Sequence, residues 1–238
     1  ELKAQKNGTV YKGNDPAVRY TGRTLVSPDG SVAFDWVGTY LETRFTGGKL
    51  SVKVSETGTS YYNVFVDGKL HKVVKVCGTD TLIHLVSGID KRIHSLKIQK
   101  RSEGEFGKTT IHQFVLSGSG RLAEEPAVRT RHIEFIGNSL TCGYGTDGKH
   151  RDEPFLVETE NCNLTFASMV ARYYDADYTL IAHSGRGAAR NYGDSVRVSK
   201  VTMKDRMLNT FDEDLTHKWN FKGYLPDLVV INLGYNDF

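Results

Sequence analysis

Between Tyr11 and Ser117 the chain runs as short stretches in which apolar and polar positions alternate; Leu50, Val52 and Val54 fall on one face, Ser51, Lys53 and Ser55 on the other. A period of two belongs to a strand with one wet face. In YYNVFVDGKLHKVVKV, Asp67-Gly68 separates two β-prone runs, and this dipeptide supplies the positive φ angles of a tight hairpin turn. Glycines and polar turns recur and helical periodicity is almost absent. Residues 1–125 are therefore predicted to form an antiparallel β-sandwich or jelly roll.

The stretch GSGRLAEEPAVRTR, Gly118 to Arg131, is polar and contains Pro126, as a surface connector does. After it the pattern changes. His132–Gly137, Tyr178–Ala182 and Leu228–Gly234 are short apolar runs ending at or near glycine, the signature of strands in a covered parallel sheet. Between the first two, Asn163 to Tyr174 has helical spacing, with Phe166, Met169, Val170 and Tyr173 on one face and Asn163 placed to cap the first turn. Strand, helix and strand in this order predict a right-handed βαβ unit, and residues 126–238 an α/β domain. The second half should be firmly docked on the first, with the long segment from Tyr144 to Cys162 covering part of the cleft.

Composition narrows the classes without choosing among them. Of 238 residues, 39% are hydrophobic and 25% charged, which suits an ordinary globular protein; a net charge of +3 is too small for a nucleic-acid footprint. No apolar run is long enough for a membrane-spanning helix, and the opening ELKAQKNGTV lacks the apolar core of a signal peptide. Cys77, Cys142 and Cys162 make neither a disulfide framework nor a paired zinc spacing; two free buried thiols are favoured over a bridge between Cys142 and Cys162.

Ligands of open parallel sheets bind beyond the carboxyl ends of the strands. The three apolar runs are followed by Gly137-Asn138-Ser139-Leu140, by Ser184-Gly185-Arg186-Gly187 and by Gly234-Tyr235-Asn236-Asp237. A serine at such a turn projects its hydroxyl into the crevice, while backbone N–H groups and an asparagine amide aimed at the same volume would hold an oxyanion. The residues support acyl transfer, with the base unassigned.

The same fragments carry a resemblance. IEFIGNSLTCGYG, SGRGAARNYG and VVINLGYNDF resemble the blocks of the SGNH/GDSL hydrolase superfamily, and DPAVRYTGRTLV, VAFDWVGTYLETRFTG and DEPFLVETENCN are similar to segments of two-domain acetyl esterases of carbohydrate esterase family 2. This implies a jelly roll followed by an SGNH-hydrolase domain with a flavodoxin-like parallel sheet. It also implies Ser139 as nucleophile and Asn236 as oxyanion-hole side chain; Gly187 is assigned as the glycine donor, with Gly185 competing. Asn138 stands where the family has aspartate, a change expected to be tolerated.

The family's histidine belongs to an Asp-x-x-His type block near the carboxyl terminus, and no such block follows Gly234-Tyr235-Asn236-Asp237 in this sequence, so the α/β domain is expected to be incomplete at its carboxyl end. In the family's usual strand order the first strand lies between the other two. The third, as apolar as a central strand, would then have an open side that a following segment, continuous or as a separate polypeptide, would cover. His71, His84, His94 and His112 lie in the predicted sandwich and His132 begins the first parallel run; His183 is nearest Ser139 in the site blocks, followed by His150 and His217.

The resemblance further implies hydrolysis of acetyl esters on xylan- or mannan-type polysaccharides, without metal or organic cofactor, by a secreted or periplasmic protein. Acetylated carbohydrate is the expected partner; nucleic acid and membrane are not. The competing readings are a catalytically incomplete glycan-binding protein and an SGNH lipase or thioesterase. Trp36, Tyr61 and Tyr62 are read as core rather than as a sugar platform.

Overall fold

The computed structural model describes residues 8–124 and 127–238. In the first domain ten strands join one antiparallel sheet. Its spine is a pair of long strands, Lys49–Val66 and Lys69–Ser87, joined at Asp67-Gly68, where φ is 49° and 75°. The first half of Lys49–Val66 pairs with Thr109–Ser117 and the second half with His94–Lys100. Register shifts between Val54 and Thr59 bend the strand so that it serves both. Gly58 sits at the bend because a Cβ there would lie 2.1 Å from the Phe106 carbonyl oxygen.

The curled sheet packs its inner face into one core, in which Leu50, Val52 and Val54 meet Tyr62, Val64, Phe34, Phe45 and Phe114. The expectation of a sandwich is corrected here: the domain is a single hydrogen-bonded sheet curled on itself. A bend within one strand leaves the alternation on either side intact, so periodicity reads it as two strands. Trp36 and Tyr62 are buried, whereas Tyr61 points outward and donates to Glu158.

The second domain holds the parallel strands His132–Gly137, Asp177–Ala182 and Leu228–Ile231, the first between the other two. The second strand is wholly buried, while Leu228, Val229 and Ile231 of the third are exposed. Three short helices, α1 (Ser139–Cys142), α2 (Phe166–Tyr173) and α3 (Met203–Arg206), accompany them.

Two details of α2 depart from expectation. Its cap position is Thr165, and Asn163 lies in the preceding turn, where its side chain accepts from Arg172. Small residues, Ala167, Ser168 and Ala171, are the ones buried, so Met169, Val170 and Tyr173 face outward. Close approach of a helix to a sheet favours small side chains over the larger face that spacing alone selects.

Domain docking is intimate. Val37 and Tyr40 of the first domain share a cluster with Ile133, Phe135, Tyr178 and Leu180 of the second. Asp177 accepts from Arg19 at 2.6 Å, Tyr40 at 2.7 Å and Arg129 at 2.9 Å. Buried Arg23 donates to the carbonyls of Met207 and Asn209 at 2.7 and 2.8 Å, and Asp35 accepts from the backbone of Asp212 and Glu213. All three cysteines are free, with Cys142 and Cys162 buried. No helix of the described residues is long and apolar enough to cross a membrane.

Candidate active site

The first parallel strand ends at Gly137, where a Cβ would come within 2.0 Å of Thr141 Oγ1; glycine allows α1 to fold back over the strand end. Asn138 is extended and its side-chain oxygen accepts from Leu140 N at 3.1 Å, so asparagine makes the cap that starts α1. Ser139 is the first helical residue, with its N–H among those that have no intrahelical partner. Gly143, at φ 85°, closes the helix after four residues.

Ser139 opens onto a cleft of about 390 Å³ whose walls include Ser184, Gly185 and Asn236 from the other two strand ends. Tyr144, Tyr192 and Tyr235 complete the rim, and the first domain contributes Glu105. Tyr144 stacks on Phe155 with centroids 3.7 Å apart, so the segment after α1 forms one wall of the cleft. Arg101 of the curled sheet holds that segment through the carbonyls of Glu158 and Glu160 and through Asp147. A larger cavity of about 500 Å³, beside Glu42, Arg129 and Arg172, contains none of the strand-end residues; the chemistry singles out the smaller one.

The Asn236 amide donates to the Arg186 carbonyl at 2.9 Å, which orients it and leaves its second N–H unassigned. The two candidate glycines differ. Gly185, at φ 73°, lines the cleft. Gly187 is buried away from it, its N–H faces Asn191 Oδ1 at 3.3 Å, and a Cβ would lie 1.9 Å from the Arg190 carbonyl oxygen. The structure thus brings Ser139, Asn236 and Gly185 together and leaves Gly187 outside the lining.

Among the described residues no histidine lines the cleft, although His183 Nε2 is 3.7 Å from Glu105, which does. His183 is buried, and its Nδ1 is 2.7 Å from Asp212 Oδ2. Burial alone would lower its pKa; the hydrogen bond and charge of Asp212 outweigh that and raise it. His132 is bound to Thr179, His217 to Thr210, His84 to Ser51, His112 to Ser55, and His94 to Asp67 and Asp90. His71 and His150 are exposed, and among the described residues no histidine is hydrogen-bonded to Ser139.

Sequence reasoning missed Asp237 and Glu103. Asp237 accepts from the backbone of Ala188, Ala189 and Arg190 at 3.0, 2.6 and 2.9 Å. Burial would push its carboxyl up, but these N–H groups hold it below the ordinary value. The third block thereby fastens the second, and the adjacency of Asp237 to Asn236 was the available signal. Glu103, from the first domain, accepts from both Ser184 N and Ser184 Oγ, and nothing local marks it.

Among the described residues two groups of side chains have metal-ligand spacing, His183 with Asp212 and Glu213, and Glu103 with Cys142 and Glu160. Arg206 already donates to both carboxylates of the first, supplying the positive charge a cation would bring. In the second, both oxygens of Glu103 are engaged by Ser184.

The chain resembles known proteins across both domains. Residues 20–126 match the family model described as carbohydrate esterase 2 N-terminal, and residues 133–238 the GDSL-like lipase/acylhydrolase model. The chain is 34% identical to the cellulase/esterase CelE of Acetivibrio thermocellus, with 94% of this chain and 27% of that protein covered. It is 33% identical to an acetylxylan esterase / glucomannan deacetylase of Cellvibrio japonicus, with 91% and 60% covered. It therefore spans about a quarter to three fifths of the length of these curated relatives. An active-site mutant of a family two carbohydrate esterase from Clostridium thermocellum superposes with a TM-score of 0.87 at 34% identity, covering 94% of this chain and 67% of that one. With both domains matched in order and that structure alike across both, the chain belongs to carbohydrate esterase family 2.

Proposed function

We propose that the protein is a serine esterase that removes acetyl groups from xylan- or mannan-type polysaccharides outside the cell. The observation that carries this reading is the convergence of Ser139, Gly185 and Asn236, from three strand ends, on one cleft. Ser139 Oγ attacks the acetyl carbonyl. The oxyanion accepts from the N–H groups of Ser139 and Gly185 and from the Asn236 amide; Gly185 takes the role because Gly187 faces away. The sugar hydroxyl leaves with a proton, and water then releases acetate from the acyl-enzyme. Exposed Tyr144, Tyr192 and Tyr235 suit a polar sugar better than a long acyl chain. The likeness to the acetylxylan esterase / glucomannan deacetylase of Cellvibrio japonicus supports the substrate class.

Among the described residues no histidine is hydrogen-bonded to Ser139, so in this reading a base is supplied to the cleft. That observation also favours a second reading, in which the cleft binds acetylated glycan without turning it over. The test is acetate release from acetylated xylan and glucomannan, measured with and without added imidazole. In the presence of imidazole, Asn236→Ala is expected to slow release by roughly 10²- to 10³-fold, the usual loss for one oxyanion donor. Binding of acetylated oligosaccharide with no release under either condition selects the second reading. A preference for long-chain esters would exclude the carbohydrate substrate.

A further inference from the structure

Beneath the cleft, at the seam between the domains, lies a buried polar cluster that the acyl-transfer steps above do not use. Glu103, Glu160 and Lys100 have essentially no exposed surface. Lys100 Nζ donates to Ser60 Oγ and to the carbonyls of Ser102 and Glu103 at 3.0 to 3.1 Å, which fixes the loop carrying Glu103. The backbone N–H of Glu103 donates to Glu160 Oε2 at 2.9 Å. The Glu103 side chain then reaches out of the first domain and accepts from both Ser184 N and Ser184 Oγ. Cys142, on the helix that begins at Ser139, lies with its sulfur within 4.8 Å of ligand atoms of both glutamates.

One carboxyl group of the curled-sheet domain therefore touches the residue before Gly185 and adjoins the helix of Ser139. We propose that Glu103 is a positioning residue for the acyl-transfer site, setting the turn at Ser184 so that the Gly185 N–H meets the oxyanion. This rests on the esterase reading and adds to it a reason for the first domain to be docked so closely: it holds one side of the oxyanion turn.

The two glutamates have different tasks. Burial, and after it the neighbouring Glu103, push the Glu160 carboxyl well up, towards its neutral form. Its other oxygen, Oε1, has no partner among the described residues. A neutral amide should substitute for Glu160 with little consequence. At Glu103 the same change disturbs the turn, because both oxygens accept, and an amide keeps one acceptor for the Ser184 N–H and obliges the Ser184 hydroxyl to turn from donor to acceptor.

The test compares Glu103→Gln with Glu160→Gln in the whole chain, with imidazole supplied. Glu103→Gln is expected to lower kcat for acetate release by roughly 10- to 100-fold with KM within about threefold, since the turn acts on the transition state and not on the bound sugar. Glu160→Gln should stay within about threefold of the parent in both constants. Hydrogen exchange provides a readout independent of turnover: the amides of Ser184 and Gly185 should exchange at least about tenfold faster in Glu103→Gln and not in Glu160→Gln. Unchanged kcat and unchanged exchange in a folded Glu103→Gln protein would overturn the proposal, as would equal losses in the two variants. If Glu103→Gln does not fold, Ser184→Ala removes one of the two bonds, and an unaltered kcat there overturns it as well. Should the parent release no acetate while the exchange contrast is seen, the link from Glu103 to the turn stands and the esterase reading falls.

Discussion

Alanine at position 139 is expected to eliminate the imidazole-dependent release of acetate. Loss of a serine nucleophile costs up to about 10⁶-fold in a protein whose base is in place, but nucleophile and base act as a unit, so removing one when the other is missing costs far less. Without imidazole, parent and Ser139→Ala proteins should accordingly differ little. With imidazole only the parent should accelerate, because Ser184, the other serine of the cleft lining, has its hydroxyl committed to Glu103. The variant should fold normally: no hydrogen bond ties the Ser139 side chain to another described side chain, and a half-buried serine of this kind changes stability by about 0.5 kcal/mol or less. Equal acceleration of both proteins would mean that imidazole itself cleaves the ester and would remove Ser139 from its role.

The largest expected effect on stability is at the domain seam. Asp177 is buried, and it accepts from Arg19, Arg129 and Tyr40, groups on the far side of the interface or on the segment entering the first parallel strand. Asp177→Ala leaves two arginines short of a partner in a poorly solvated place. Breaking a buried pair in this way costs about 3–5 kcal/mol, and Glu42, which contacts both arginines, should keep the loss near the lower end. Burial would push the Asp177 carboxyl up; the hydrogen bond from Arg19, followed by that from Tyr40, outweighs burial and holds it below the ordinary value. A depressed folded pKa makes this contribution complete above the unfolded carboxylate value of about 3.9, and it is lost as pH falls through the lower folded value. Urea unfolding at pH 7 should therefore separate parent and variant widely, and the gap should narrow below about pH 4. Identical midpoints at pH 7 would show that Asp177 does not hold the domains together.

What the chain determines by itself is local. Alternation at Leu50, Val52 and Val54 marks an inner face, because side chains two apart on a strand share a side wherever that strand is placed. Asp67-Gly68 marks its turn because only a few residues tolerate those angles. Ser139 and Asn236 were legible as neighbours in space because parallel strands must end together, so loops that follow them converge.

The tertiary structure decided whatever depended on a distant partner. Gly185 and Gly187 are two residues apart and the sequence reading prefers Gly187; the turn fastened by Asp237 and Asn191 sends Gly185 towards the cleft and Gly187 away. His183 is nearest the site in sequence, but its partner on Nδ1, Asp212, lies 29 residues later and no local pattern announces it. Glu103 is 81 residues from Ser184 and belongs to another domain, so no spacing rule could join them. The outward face of α2 follows from how closely the helix approaches the sheet. In each case propensity and period act over a few residues, whereas the partner of a buried polar group is chosen by packing, which brings together segments that share no local signal.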